Sequence, residues 1–259
     1  MTVPRKFSRA TPAKPTAAPA ATGERLSKQV MQLKACSRSE AEQYIAGGWV
    51  QVDGVVVEEP AFRVLRQRVV VDPSASLLNL TPITLVLHKP AGLTQEKATA
   101  LLGLATLWAQ DASGTRPLKR HFSNLESAVP LENGASGLLV FTQDWRTTRK
   151  LTEDMDAMEH ELIAEVRGEV GPEALQKLDR ALNNERDPLP HAKCSIGSSN
   201  PESSKLRFAI KGAHPGLVAY LCEKTQLELL GLRRIRLGRV ALRDLPVGQW
   251  RYLTGHERF

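Results

Sequence analysis

From Glu24 the apolar positions recur at helical intervals: Leu26, Val30 and Leu33 lie four and three residues apart and predict a helix with one greasy face. A break at Ala35-Cys36 precedes Ser37-Arg38-Ser39-Glu40, in which Ser37 has the character of an N-cap and Glu40 stands three residues on, as in a capping box. The second helix then runs to about Ala46 and stops at Gly47-Gly48. Trp49 to Val52, the Asp53-Gly54 turn and Val55 to Val57 follow as a β-hairpin. Farther on, Ile83 to Leu87 is an unbroken apolar run that predicts a buried strand, ended by the turn His88-Lys89-Pro90-Ala91-Gly92. Leu138 to Thr142 is a second such strand, entered from the polar loop 129–137.

Composition separates the structured part from its flank. A chain of 259 residues with 42% hydrophobic and 24% charged side chains can bury a core and fits one large or two modest domains. Residues 1–23 carry four bases, no acid and four prolines, and are expected to be disordered. That segment has no apolar h-region, so it does not read as a secretory signal, and no stretch of eighteen apolar residues exists to span a membrane. Cys36, Cys194 and Cys222 are scattered, without a CxxC pair, and predict three free thiols in a reducing cytoplasm. The net charge of +7 is uneven: residues 1–23 contribute +4, 24–73 nothing, 74–204 contribute −4 and 205–259 contribute +7. The excess favours a polyanionic partner held by the flanks of an acidic middle.

Residues Arg25 to about Asp72 resemble the RNA-binding domain named for ribosomal small-subunit protein four. The likeness rests on R-L-S-K from Arg25, S-R-S-E-A at 37–41 and G-G-W-V-Q-V-D-G-V-V-V at 47–57. It implies an RNA face built from Arg25, Lys28, Lys34 and Arg38, with Arg63, Arg66 and Arg68 as lesser candidates. Such contacts to phosphate give affinity and register rather than sequence choice. Ordinary solvated charges are the alternative.

Three further blocks resemble the pseudouridine synthases of ribosomal RNA. These are H-K-P-A-G-L from His88, P-L-E-N-G-A-S-G-L-L-V-F-T-Q-D from Pro130, and L-G-L-R-R-I-R-L-G-R-V-A-L-R-D-L-P-V-G-Q-W-R-Y-L-T ending at Thr254. The resemblance implies a mixed, largely antiparallel sheet, no metal or organic cofactor, and an Asp that attacks a flipped uridine. A nearby cation and a stacking Tyr would assist. At the Asp position stands Glu132, the Arg expected two residues earlier is Pro130, Glu161 falls where the Tyr is expected, and the Arg-rich helix reads His214 to Leu221 without Arg. An unpaired Glu132 beside Glu161 would suffer like-charge repulsion. Lys211, His214 or Arg233 could replace the cation and Tyr220 the aromatic.

His160, His191, His214 and Cys194 lack metal-site spacing, and Gly134-Ala135-Ser136-Gly137 is not a G-x-S-x-G elbow. The acidic run 153–161 is either a solvated surface or a dock for a ribosomal protein. On a strand, Arg234 and Arg236 would share one face and join the RNA surface, with Arg233 on the other. The expectation is therefore an α+β monomer without a membrane contact: a tail at 1–23, an RNA-binding module at 24–73, a linker at 74–81 and a synthase-type domain at 82–259. Three readings stand: an RNA binder weak or inactive as an isomerase, a working isomerase with Glu132 as nucleophile, and a ribosome-associated adaptor.

Overall fold

A computed structural model describes residues 23–77 and 81–259. The basic tail, Gly23 apart, and three residues of the expected linker lie outside the described residues. The chain divides between Asn79 and Leu80 into two compact units.

In the N-terminal unit β1 (Glu24–Arg25) leads into α1 (Leu26–Lys34) and α2 (Arg38–Ala46), followed by β2 (Val50–Val52), β3 (Val55–Val56), β4 (Arg63–Val64) and β5 (Val69–Val71). The capping box of α2 is formed: the Ser37 hydroxyl accepts from the Glu40 N–H while the Glu40 carboxylate accepts from the Ser37 N–H. Asp53 and Gly54 both adopt positive φ, 50° and 81°, the geometry of a two-residue hairpin turn. Strands pair antiparallel in the order β3-β2-β5, and the core is Leu26, Val30, Ala41, Ile45, Val50, Val52 and Val64. Leu33 departs from the sequence expectation, being 57% exposed. The buried stripe of α1 passes through Leu26, Ser27 and Val30 with Met31 packed beside it, which leaves Leu33 on the flank.

The second unit begins with β6 (Thr84–Lys89) and α3 (Gln95–Thr99), then β7 (Glu126–Ala128), β8 (Ser136–Thr142), α4 (Trp145–Thr152) and β9 (Glu159–Arg167). After these come α5 (Pro172–Leu182), β10 (Ala192–Ser199), β11 (Ser203–Lys211), α6 (Leu217–Lys224), β12 (Leu229–Leu237), β13 (Val240–Ala241) and β14 (Trp250–Tyr252). One nine-stranded sheet has the order β10-β11-β9-β12-β8-β6-β14, with β13 beside β12 and β7 beside β8. Every neighbouring pair of named strands is antiparallel except β12 with β8, so the sheet is mixed and largely antiparallel.

Apolar clusters cover both faces, which explains the unbroken hydrophobic runs. Leu85, Leu87, Leu139 and Phe141 join one cluster with α5 and α6, while Val86, Leu138 and Val140 join the other with Leu151 of α4. β6 continues two residues past Leu87, into the expected turn, because His88 and Lys89 are buried and pair with Leu138 and Gly137. The final helix starts later than expected, at Leu217: a residue before proline is biased out of the helical region, and Gly216 takes φ +84° as the N-cap.

Candidate active-site pocket

Loop 129–135 joins β7 to β8 and carries Glu132, and two buried cations hold it from below. Lys89 is 0% exposed; its ammonium donates to the carbonyls of Pro90, Glu132, Asn133 and Ala135 at 2.8–3.2 Å. Arg234 is 2% exposed and donates to the carbonyls of Leu138 and Val129 at 2.8 Å and of Pro130 at 3.5 Å. Burial draws the Arg234 guanidinium down to about 10, with the charge of Glu132 acting in the opposite direction. Arg234 reaches the loop because β8 and β12 meet in parallel at Gly137 and Arg234. Only glycine fits there: Gly137 has φ +107°, and a Cβ would lie 2.2 Å from the Arg234 carbonyl oxygen.

Glu132 points at α6. Its Oε1 accepts the Gly216 N–H at 2.6 Å, so the carboxylate caps a helix N-terminus where the backbone dipoles favour negative charge. Among the described residues no cation forms an ion pair with it; Arg234 acts through space. The enclosing pocket measures about 40 Å³ and is lined by Glu132, His160, Leu162, His214, Val218, Leu232 and Arg234, among others. Ligand pockets span about 300–1,000 Å³, so this space admits a water or two and not a nucleoside. None of its lining residues is Tyr, Phe or Trp.

The strand phase of β9 corrects the expectation for Glu161. His160, Leu162, Ala164 and Val166 face inward, whereas Glu161 takes the opposite phase and pairs with Arg207 and with Arg236 at 2.6 Å. Burial pushes the Glu161 carboxyl up, but its bonds to the two arginines outweigh that and leave it below the usual carboxylate range. Glu132 therefore has no acidic neighbour there. The residue that sequence reasoning missed is His160, which is 5% exposed and lines the pocket with an unpartnered Nδ1. Burial, followed by the charges of Arg234, His214 and Arg236, holds its imidazole down to about 4. The alternation H-L-A-V at 160, 162, 164 and 166 was the available signal.

Two further expectations change. Arg234 is not on the surface and cannot meet RNA, and Arg236 is tied to Glu159 at 2.5 Å and to Glu161. They do not share a face because the register of β12 against β9 slips between Arg234 and Arg236, a bulge that breaks alternation. Of the proposed replacements, His214 lines the pocket; Lys211 and Arg233 are exposed and do not. Tyr220 also lies elsewhere, its hydroxyl donating to Asp187 and accepting from Lys224.

In the N-terminal unit Arg25 is the exposed N-cap of α1. Lys28 pairs with Glu24 at 2.7 Å and Arg38 with Glu42 at 2.8 Å. Exposed pairs of this kind contribute little and are readily exchanged for phosphate. Lys34 is half-buried, its ammonium 6.0 Å from the Tyr44 ring centroid. Arg66 and Arg68 are exposed, and the Arg63 guanidinium donates to the Gly23 carbonyl.

The S4 domain family matches residues 24–70. Ribosomal large subunit pseudouridine synthase B of Bacillus subtilis is 27% identical over 240 residues, covering 90% of this chain and 93% of its own. An uncharacterized RNA pseudouridine synthase of Aquifex aeolicus is 29% identical over 238 residues, covering 90% and 94%. A crystal structure of a pseudouridylate synthase superposes with a TM-score of 0.53 over 89% of this chain and 96% of that one, at 18% identity, which attests the fold. Among the described residues no helix is long and apolar enough to cross a membrane. Along about nine-tenths of its length, then, this chain is similar to RNA pseudouridine synthases, and its residues 24–70 match the S4 domain family.

Proposed function

We propose that this protein binds ribosomal RNA through its S4 domain and that its synthase-type domain is a docking scaffold whose isomerase chemistry is lost or strongly reduced. The B. subtilis relative, named for the large ribosomal subunit, motivates the RNA class. One observation carries the loss of chemistry: an oxygen of the Glu132 carboxylate is engaged by the Gly216 N–H, at the edge of a pocket of about 40 Å³. A nucleophile must be free and aimed at the sugar, and misplacement by about an ångström costs on the order of a hundredfold. Admitting a flipped uridine would require the cap to break and α6 to withdraw, with no aromatic wall to repay unstacking.

A working isomerase with Glu132 as nucleophile is the second reading, favoured by the Arg234 charge that still acts on Glu132. The adaptor reading is weakened because Glu159 and Glu161 of the acidic run are already paired to Arg236 and Arg207. The deciding experiment maps pseudouridines in ribosomal RNA from cells with the gene, without it, and with Glu132→Ala. No site should disappear, while the purified chain keeps salt-dependent RNA affinity. A single position lost in both altered strains would sink the scaffold reading.

A further inference from the structure

A groove of the second unit lies away from Glu132, with a volume of about 760 Å³, within the range of about 300–1,000 Å³ that ligand sites span. Arg146, Thr147 and Lys150 of α4 line it, together with Ser113, Thr115 and Arg258. Its two acids are already engaged. Asp144 accepts the Arg146 N–H and the Thr147 hydroxyl as the cap of α4, and Glu257 takes both Arg251 nitrogens at 2.7 and 2.8 Å. Among the described residues the side chains of Arg146 and Lys150 form no ion pair, so the wall is cationic and rich in hydroxyls.

Beside this wall stands Trp145, 63% exposed, with the Arg146 guanidinium 5.4 Å from its ring centroid. A ring and a guanidinium presented together to solvent form a platform on which an unpaired base stacks, while the adjacent cations take the phosphates. The charge and the hydroxyls suit a polyanion and neither an apolar helix nor a lipid surface. We infer that the α4 groove binds a single-stranded segment of RNA, with Trp145 stacking a base and Arg146 and Lys150 contacting phosphates. This rests on the RNA-binding function proposed above and assigns to that RNA a second contact, separate from the Glu132 pocket.

The test uses the full chain with two RNAs, a hairpin with a single-stranded flank and the same hairpin without it. The wild type should prefer the flanked RNA, and binding should quench tryptophan fluorescence. Trp145→Ala should remove the quench and weaken flanked binding roughly ten- to a hundredfold, leaving the bare hairpin unchanged. The pair Arg146→Glu, Lys150→Glu should flatten the salt dependence by about 1.4 in log-log slope, about 0.7 for each single-strand phosphate that is no longer neutralised. All three side chains are exposed, so an unchanged melting temperature is expected and checks folding. Variants that retain the wild-type flank preference would overturn the groove while leaving S4-mediated binding intact. A wild type that binds neither RNA would overturn the RNA function itself and the groove with it.

Discussion

If Glu132 is a structural cap, removing it must cost stability even where no chemistry is at stake. Glu132→Ala deletes a hydrogen bond between a backbone donor and a charged acceptor, here 2.6 Å long, and such bonds contribute about 1.5–3 kcal/mol. It also strips Arg234 of the one charge that offsets its burial. Each further unit by which that guanidinium's affinity for its proton falls adds about 1.4 kcal/mol. The total is about 2–4 kcal/mol, and with a urea slope of about 2 kcal/mol per molar the midpoint should fall by about 1–2 M. Glu132→Gln keeps an oxygen for the Gly216 N–H but discards the charge, so it should fall between Ala and the wild type. Equilibrium urea unfolding followed by circular dichroism reads all three. An alanine variant within about 0.5 kcal/mol of the wild type would refute the cap, since ordinary surface changes are of that size.

Acid should weaken the protein before its carboxylates titrate. His160 and His121 are buried and held down to about 4, whereas the unfolded chain protonates them near 6.5. Between those values the unfolded state binds more protons, so their contribution is intact above 6.5 and falls as pH drops toward 4, by roughly 3 kcal/mol each. A flat urea midpoint across that window would contradict the burial of both rings. Arg234→Met leaves the carbonyls of Val129, Pro130 and Leu138 without their donor and should cost about 3–5 kcal/mol, with Arg234→Lys a poor substitute for the planar fork; thermal melts of both variants check it. Gly137→Ala places a methyl against the Arg234 backbone at φ +107° and should destabilise by several kcal/mol, whereas Gly134→Ala, in open space, should change little.

Local signals were legible and long-range ones were not. The capping box of α2 and the Asp53-Gly54 turn are written within a few residues, where side chains answer their own backbone. The two central strands are readable because burial on both faces makes the run continuous. The faces of β9 and β12 were harder: a slip of one residue exchanges inward and outward side chains, and the bulge beside Ile235 makes such a slip. Glu161 was accordingly set into a pocket that belongs to His160, and Arg234 onto a surface it never reaches. The bond from Gly216 to Glu132 crosses 84 residues and leaves no periodic trace. The Lys89 ammonium is equally hidden, because nothing in H-K-P reveals the four carbonyls that gather around it.

The one parallel pairing between named strands, β8 with β12, also has a meaning in time. Arg234 binds the Leu138 carbonyl across 96 residues, and of the strands between them β10 and β11 pair as an antiparallel hairpin of much shorter span. Closing a loop of that length costs entropy before any contact rewards it, so the β10-β11 hairpin forms before β12 docks against β8. Loop 129–135 thus acquires its second anchor only after nearly the whole chain has been synthesised. A ribosome-bound chain stalled before Arg234 would display Glu132 on a loop held by Lys89 alone, and the pocket around it would still lack one wall.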